Sequence, residues 1–224
     1  MATVLGPNIV EDGLVLSLDA GSTRSYPGTG TTWYDLSPTG ANFPLSDAGI
    51  YSAGTMNYTS DRSTLAAPTA WQSTTDLTIE TWYKPESGGI HTGCCDTLFG
   101  RYDFRFFTIF NSTNGNGIYT MISFTATNGS RYYQHPVFYL SSGEYHHLVG
   151  ARRNNRFIIW IDGVERHNST FGAGLPLYAV SDSWHISSTT HSDVDIDINR
   201  IYNRGLSDSE ILQNFNSQKN RFEL

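Results

Sequence analysis

Apolar and polar residues alternate with period two along most of the chain. Leu14, Leu16 and Leu18 alternate with Val15, Ser17 and Asp19. Phe104, Phe106 and Phe110 share one face with Thr108. Val194, Ile196 and Ile198 alternate with Asp193, Asp195 and Asp197. A repeat of two is that of a strand, and each segment predicts a half-buried one. Turn signals fall between such segments: Asn114-Gly115, Asn116-Gly117, Asn128-Gly129, Ser142-Gly143 and Asp162-Gly163. Many short strands spaced this way predict an all-β sandwich or barrel. One helix is predicted, over about 208–217. Ser207-Asp208-Ser209-Glu210 is a capping box, and Ile211, Leu212 and Phe215 follow at helical spacing. Gln218–Leu224 reads as a tail, and the stretch of about 20–45 as a long loop. With no internal repeat and no Pro/Gly linker, residues 1–224 read as a single domain.

Composition narrows the classes. Charged residues make up 16% of the 224 and aromatics 13%. Disordered chains are richer in charge and poorer in aromatics. No apolar run approaches the length of a membrane span, so no membrane contact is expected. The net charge of -7 argues against nucleic acid, because phosphate binding needs a basic surface. Met1–Val10 lacks a basic segment followed by an apolar one, which predicts no signal peptide and synthesis in a reducing cytosol. Cys94 and Cys95 are adjacent, rarely satisfy disulfide geometry as neighbours, and read as ordinary thiols. His146 and His147 are also adjacent, so on a strand they point to opposite faces and form no metal pair. His185 and His191 lie near a loop and receive no role.

Only two lysines occur, Lys84 and Lys219, so nearly all positive charge is Arg. Arginine favours fixed, bidentate contacts. Together with the aromatics it marks an interaction surface, of the kind used for sugars or for proteins. The expected contact residues are Trp82, Arg101, Arg105, Tyr132, Tyr133, Arg152, Arg153 and Trp160.

Four segments resemble a known family. Asp76-Leu-Thr-Ile-Glu-Thr-Trp-Tyr-Lys-Pro85 resembles its strand motif FTIEAWVKP, and Gly143-Glu-Tyr-His-His-Leu-Val-Gly150 its WHHVAG strand. Phe157-Ile-Ile-Trp-Ile-Asp-Gly-Val164 resembles LYVDGV, and Ile196 to Ser207 resembles IDEVRIYNRALS. The family is that of laminin G-like, concanavalin A-like domains. The front, Asp12 to Gly21 and Ser25 to Ser37, is similar to the version found in structural proteins of tailed bacteriophages. The resemblance implies a two-sheet antiparallel jelly-roll sandwich with one short C-terminal helix. It also implies a structural Ca2+ ligated by Asp197 with carbonyls of the first strand. One departure is Met56-Asn-Tyr-Thr-Ser-Asp-Arg62, which lacks the glycine of the family's FDGxxDY segment.

Asp193, Asp195 and Asp197 are spaced like the catalytic strand of related glucanases. They lie on the last strand and include no Glu, so a solvated strand face is expected and no enzyme. The expected function is a virion structural protein, a capsid decoration or cement protein that holds glycans weakly. Its partners would be the major capsid protein or tail components, and surface polysaccharide, with homo-oligomers on the particle. The alternatives are a tail-associated, glycan-binding adhesin and, less favoured, a glycoside hydrolase or lyase.

Overall fold

A computed structural model describes residues 8–47, 50–59, 61–66, 68, 76–85, 96–101, 104–111, 117–125, 131–134, 139–170, 183–187 and 193–224, with side chains outside 96–97, 101–139 and 193. In chain order its strands are β1 (Leu14–Asp19), β2 (Thr32–Trp33), β3 (Phe43–Pro44), β4 (Tyr51–Ser52), β5 (Thr55–Thr59), β6 (Ser63–Leu65), β7 (Leu77–Pro85), β8 (Asp96–Arg101), β9 (Phe104–Asn111), β10 (Gly117–Thr125), β11 (Arg131–Gln134), β12 (Tyr139–Leu140), β13 (His146–Arg153), β14 (Arg156–Ile161), β15 (Val164–Thr170), β16 (Trp184–Ile186) and β17 (Asp193–Tyr202). Helix α1 spans Asp208–Gln218 and passes into a 3-10 turn, Lys219–Arg221. Eight strands form one sheet in the order β15-β14-β13-β7-β17-β5-β4, with β1 also on β17. Seven form a second, β11-β10-β9-β8-β16-β6, with β12 on β10, and β2 and β3 pair with each other. The pairings are antiparallel, as expected.

The main core lies between the sheets. Ile79, Tyr83, Leu148, Ile159 and Ile201 of the first sheet meet Leu98, Phe99, Trp184 and Ile186 of the second. The eight-stranded sheet is covered on its other face as well. Val149, Ala151, Ile158, Trp160 and Tyr202 pack there against Leu206 and Ile211, and Trp82 and Ile198 pack against Phe222. This second layer is the chain's own helix and tail. It explains why β7, β13, β14 and β17 carry large residues on both faces.

Tight turns set the register. Asn154 and Asn155 (φ 51° and 59°) join β13 to β14, and Asp162 and Gly163 (φ 50° and 75°) join β14 to β15. Two consecutive positive φ values are the hairpin geometry that matches strand twist. Gly163 is needed a second time. A Cβ there would stand 2.6 Å from the Phe215 ring of α1. The signals at 114–116 and 128–129 lie outside the described residues, but β9, β10 and β11 do form consecutive hairpins around them.

The capping box forms as predicted: Ser207 accepts from the Glu210 amide and Glu210 reaches back to Ser207. The tail does not trail away. It folds onto the sheet, with Phe222 7% exposed. The half-buried reading of the first and last strands also changes. A bulge between Leu14 and Leu16 sends Leu14 to the helix side while Leu16 and Leu18 stay in the main core. A bulge between Ile196 and Ile198 makes Asp197 the extra residue and sends Ile198 to the helix side. A bulge of this kind adds one residue and re-aims the side chains after it.

Candidate functional site

Among the described residues, three clusters of polar side chains and one cleft are candidate sites. The most buried cluster centres on Glu80 of β7, which is 0% exposed. Its Oε1 accepts from Arg200 Nη1 at 2.7 Å and lies 3.2 Å from His147 Nε2. Its Oε2 accepts from Asn214 Nδ2 of α1 at 2.7 Å. Asn214 also donates to the Tyr202 hydroxyl and accepts the Val10 amide, both within 2.9 Å. Burial works against the Glu80 charge, but Arg200, His147 and Asn214 outweigh it and hold the carboxyl down at about 2. A carboxylate held by three partners and shut from solvent is out of a substrate's reach. The cluster fastens helix, sheet and N-terminal segment together.

The second cluster is acidic. Asp195 and Asp197 are 5% and 4% exposed, so the expectation of a solvated strand face is corrected. The physical reason is the second layer. The tail and Tyr145 cover this stretch, and each carboxylate takes a partner. Asp195 meets Lys84 Nζ at 2.7 Å and Asn57 Nδ2 at 2.8 Å. Asp197 accepts from Tyr145 and from Arg221 Nη2, the latter at 3.3 Å. Burial pushes the Asp197 carboxyl up to about 6. Tyr145 and Arg221 oppose this, while Asp19 and Asp195 add to it. A carboxyl near 6 is chemically apt as an acid, yet the tail walls it from any substrate.

This cluster also bears on the Ca2+ expectation. Ca2+ takes six to eight oxygens. Here the Asp197 main-chain oxygen is bound to the Ala20 amide at 2.8 Å. Asp19 Oδ1 takes the Gly21 amide at 3.0 Å and Arg221 Nη1 at 2.7 Å. No set of three metal-ligating side chains gathers among the described residues. A guanidinium occupies the space between the two carboxylates, so the residues do not fit a bound Ca2+.

The third cluster is a Ser–His–Asp arrangement that sequence reasoning missed. His146 Nδ1 lies 2.9 Å from Asp162 Oδ2, and His146 Nε2 lies 3.3 Å from Ser141 Oγ. A hydrolytic triad needs Nε2 free to take the serine proton. Here Nε2 faces the Ser141 carbonyl at 3.1 Å, while the Ser141 hydroxyl donates to Glu144. Burial lowers the imidazole pKa, but Asp162, the Ser141 carbonyl and Glu144 outweigh it and raise the pKa. The ring is a clasp between two turns. His146 and His147 do point to opposite faces, as expected, and both are buried.

An open cleft of about 640 Å³ lies between the N-terminal segment, β1, the 24–38 loop and the end of α1. Its polar lining includes Glu11, Ser17, Asp19, Arg24, Arg200 and Gln218, with Ile9, Leu36 and Pro38 as apolar wall. Arg200 is 2% exposed and its Nε has no partner. The volume falls within the range of small-ligand sites.

The expected contact residues separate. Trp82 is 0% exposed, stacked 4.4 Å from Phe222 and 5.9 Å from Phe215, so it is not a surface residue. Arg152 and Trp160 are buried too: Trp160 packs in the layer with Leu206 and Ile211, and Arg152 is 1% exposed on β13. Arg153 is partly exposed and pairs with Asp208 at 2.8 Å, with Nη1 on the Leu206 carbonyl. Arg101, Arg105, Tyr132 and Tyr133 all fall on the seven-stranded sheet. Their side chains lie outside the described residues, as do those of Cys94 and Cys95, but the backbone register is clear. His185, Gly100, Arg105, Ser123 and Tyr133 occupy one cross-strand row. Arg101 and Tyr132 belong to the next row, with Phe104 and Phe124. His185 sits between the core residues Trp184 and Ile186 and meets Thr64 at 3.1 Å near solvent.

A family model of the concanavalin A-like lectin/glucanases superfamily matches residues 57–212. No curated protein matches the chain. Among solved structures, the binding domain of Paraclostridial mosquitocidal protein 1 superposes with a TM-score of 0.74 at 16% identity, covering 94% of this chain and 53% of that one. The botulinum neurotoxin serotype D ligand-binding domain, in complex with N-acetylneuraminic acid, gives 0.68 at 12% identity over 93% and 52%. Trypanosoma rangeli sialidase, in complex with sialic acid, gives 0.66 at 15% identity over 97% and 36%. The chain thus spans about half the length of the toxin domains and about a third of the sialidase. At such identities the likeness shows the fold.

Proposed function

Because the chain belongs to the concanavalin A-like lectin/glucanase superfamily, we propose that it is a non-enzymatic binding module of a tailed-bacteriophage particle, a capsid decoration or cement protein that holds polysaccharide weakly. The observation that carries the binding half is the cleft. It pairs apolar wall with hydroxyl, carboxylate and guanidinium groups around an unpartnered buried Arg200 Nε. Sugars present apolar C–H faces and hydroxyls together, and such a mixed lining suits both. The solved relatives bound to sialic acids support a glycan as the ligand class.

The buried carboxyls argue against catalysis. Hydrolysis of a glycosidic bond uses an accessible pair of carboxyls. Glu80, Asp195 and Asp197 are buried and each is held by partners within the protein.

The particle half rests on the front of the sequence and its likeness to phage structural proteins. Arg24 and Arg200 line the helix-covered side, while the Arg105–Tyr133 row belongs to the other sheet. One side thus serves the glycan and the other the major capsid protein. Weak single sites suffice when many copies share a particle. The test is immunogold labelling of purified particles. Label over the head supports the decoration reading. Label at the tail tip favours the adhesin, and particles without label overturn both.

A further inference from the structure

The charges that line the helix-side cleft differ in how far they are answered. Asp19 is met by Arg221 at 2.7 Å. Arg200 is met by Glu80 through Nη1, also at 2.7 Å, but its Nε has no partner. Arg24 is exposed, and among the described residues no side chain pairs with its guanidinium. A buried N–H left without an acceptor costs free energy that a ligand oxygen recovers. With two guanidiniums on one cleft, a carboxylate is the favoured source of that oxygen, since charge-assisted bonds are the stronger ones. The Glu11 carboxylate, also exposed, only accepts, so it suits hydroxyls of the same ligand.

The wall that carries Arg24 is fixed before any ligand arrives. Ser25 is 0% exposed, and its Oγ donates to the Tyr34 carbonyl at 2.6 Å and accepts the Asp19 amide at 3.1 Å. Asp35 gathers the far side of the loop. Its Oδ1 accepts the Ser17 and Ser37 amides, both at 2.8 Å. Its Oδ2 accepts the Ser37 and Thr39 hydroxyls at 2.6 and 2.9 Å and the Ala41 amide at 2.9 Å. The loop is thus tied to β1 at both ends, and a preformed wall spares the ordering cost of binding.

We propose that the cleft takes an acidic sugar, its carboxylate read by Arg24 at the rim and by the Arg200 Nε–H at the floor, its ring hydroxyls by Glu11. This rests on the reading of the cleft as the glycan site and adds the class of sugar. Uronates and sialates share the required chemistry. Two acids and two arginines leave the lining neutral, so selection comes from close contact and not from long-range attraction.

The experiment uses the full chain on immobilised polygalacturonate and polysialate, each beside its carboxyl-reduced, neutral form. The wild type is expected to be held on one acid at least about tenfold more strongly than on the reduced form, and which acid tells uronate from sialate. Arg24→Gln is expected to lose that difference while melting within about 2 °C of the wild type, as for an exposed side chain. In 1H–15N spectra the Arg200 Nε–Hε proton is expected to move downfield with the free acid sugar, galacturonate or N-acetylneuraminate, and to stay put with the neutral sugar. Equal retention on an acid and its reduced form overturns the acidic class and leaves the glycan reading standing. Retention on none of the four overturns it too, and the glycan reading falls with it only if neutral polymers such as dextran are not held either. An acid preference that survives in Arg24→Gln, or that leaves the Arg200 signal unmoved, also overturns the proposal.

Discussion

Replacing Glu80 by Gln keeps the size of the side chain and removes its charge. Two routes give the cost. Glu80 is fully buried against Arg200, and breaking a buried pair leaves an uncompensated charge, costing about 3–5 kcal/mol. Independently, the carboxyl is held at about 2 against an ordinary 4.5. At about 1.4 kcal/mol for each pKa unit this is about 3 kcal/mol. The routes agree near 3 kcal/mol. The folded value is the depressed one, so this stability is present above pH 4.5 and is lost as pH falls toward 2. The gap between wild type and Glu80→Gln should therefore be about 3 kcal/mol at pH 7 and roughly half or less at pH 3. Urea unfolding followed by tryptophan fluorescence measures it, since Trp82 and Trp160 lie beside the cluster. In a chain of this size the matching drop in melting temperature is about 6–12 °C. A cost under about 1 kcal/mol, or an equal gap at pH 3 and pH 7, would contradict this role for the Glu80 charge.

Single residues elsewhere give further expected outcomes. Gly163→Ala must place a Cβ 2.6 Å from Phe215 at a φ of 75°, and should cost about 1–3 kcal/mol by thermal melt. Ser207→Ala removes the cap of α1 and should cost about 1 kcal/mol, with faster amide exchange confined to the first helical turn. The His146 imidazole has a raised pKa, so its contribution is present below 6.5 and fades as pH rises through the folded value. The melting gap between wild type and His146→Gln should then be wider at pH 5.5 than at pH 8.5, and a reversed order would contradict the clasp.

The two sheets and the capped helix were legible because each rests on local rules: period two, turn residues and a four-residue cap. The bulge at Asp197 was not, since one extra residue leaves no mark on an alternating pattern. It re-aims Ile198 toward the helix side, and the tail that packs there buries Asp195 and Asp197, which the alternation reads as a wet face. The role of Glu80 was hidden for a different reason. Its partners His147, Arg200 and Asn214 stand 67, 120 and 134 positions away. Trp82, Arg152 and Trp160 were misplaced because residue type marks contact surfaces and cores alike. The helix and tail layer is what tells them apart, and a tail of polar residues carries no signal that Arg221 and Phe222 will dock.

That this is a glycan-holding module without catalysis is tested by one binding measurement with two readouts. Wild type and Arg24→Ala are each incubated with acidic and neutral polysaccharides, and both retention on the polymer and reducing ends are followed. The wild type is expected to be retained, Arg24→Ala to be retained at least about tenfold more weakly, and the polymer to stay intact throughout. Reducing ends that appear with the wild type and vanish with Asp195→Asn, or no retention on any polymer, would contradict it.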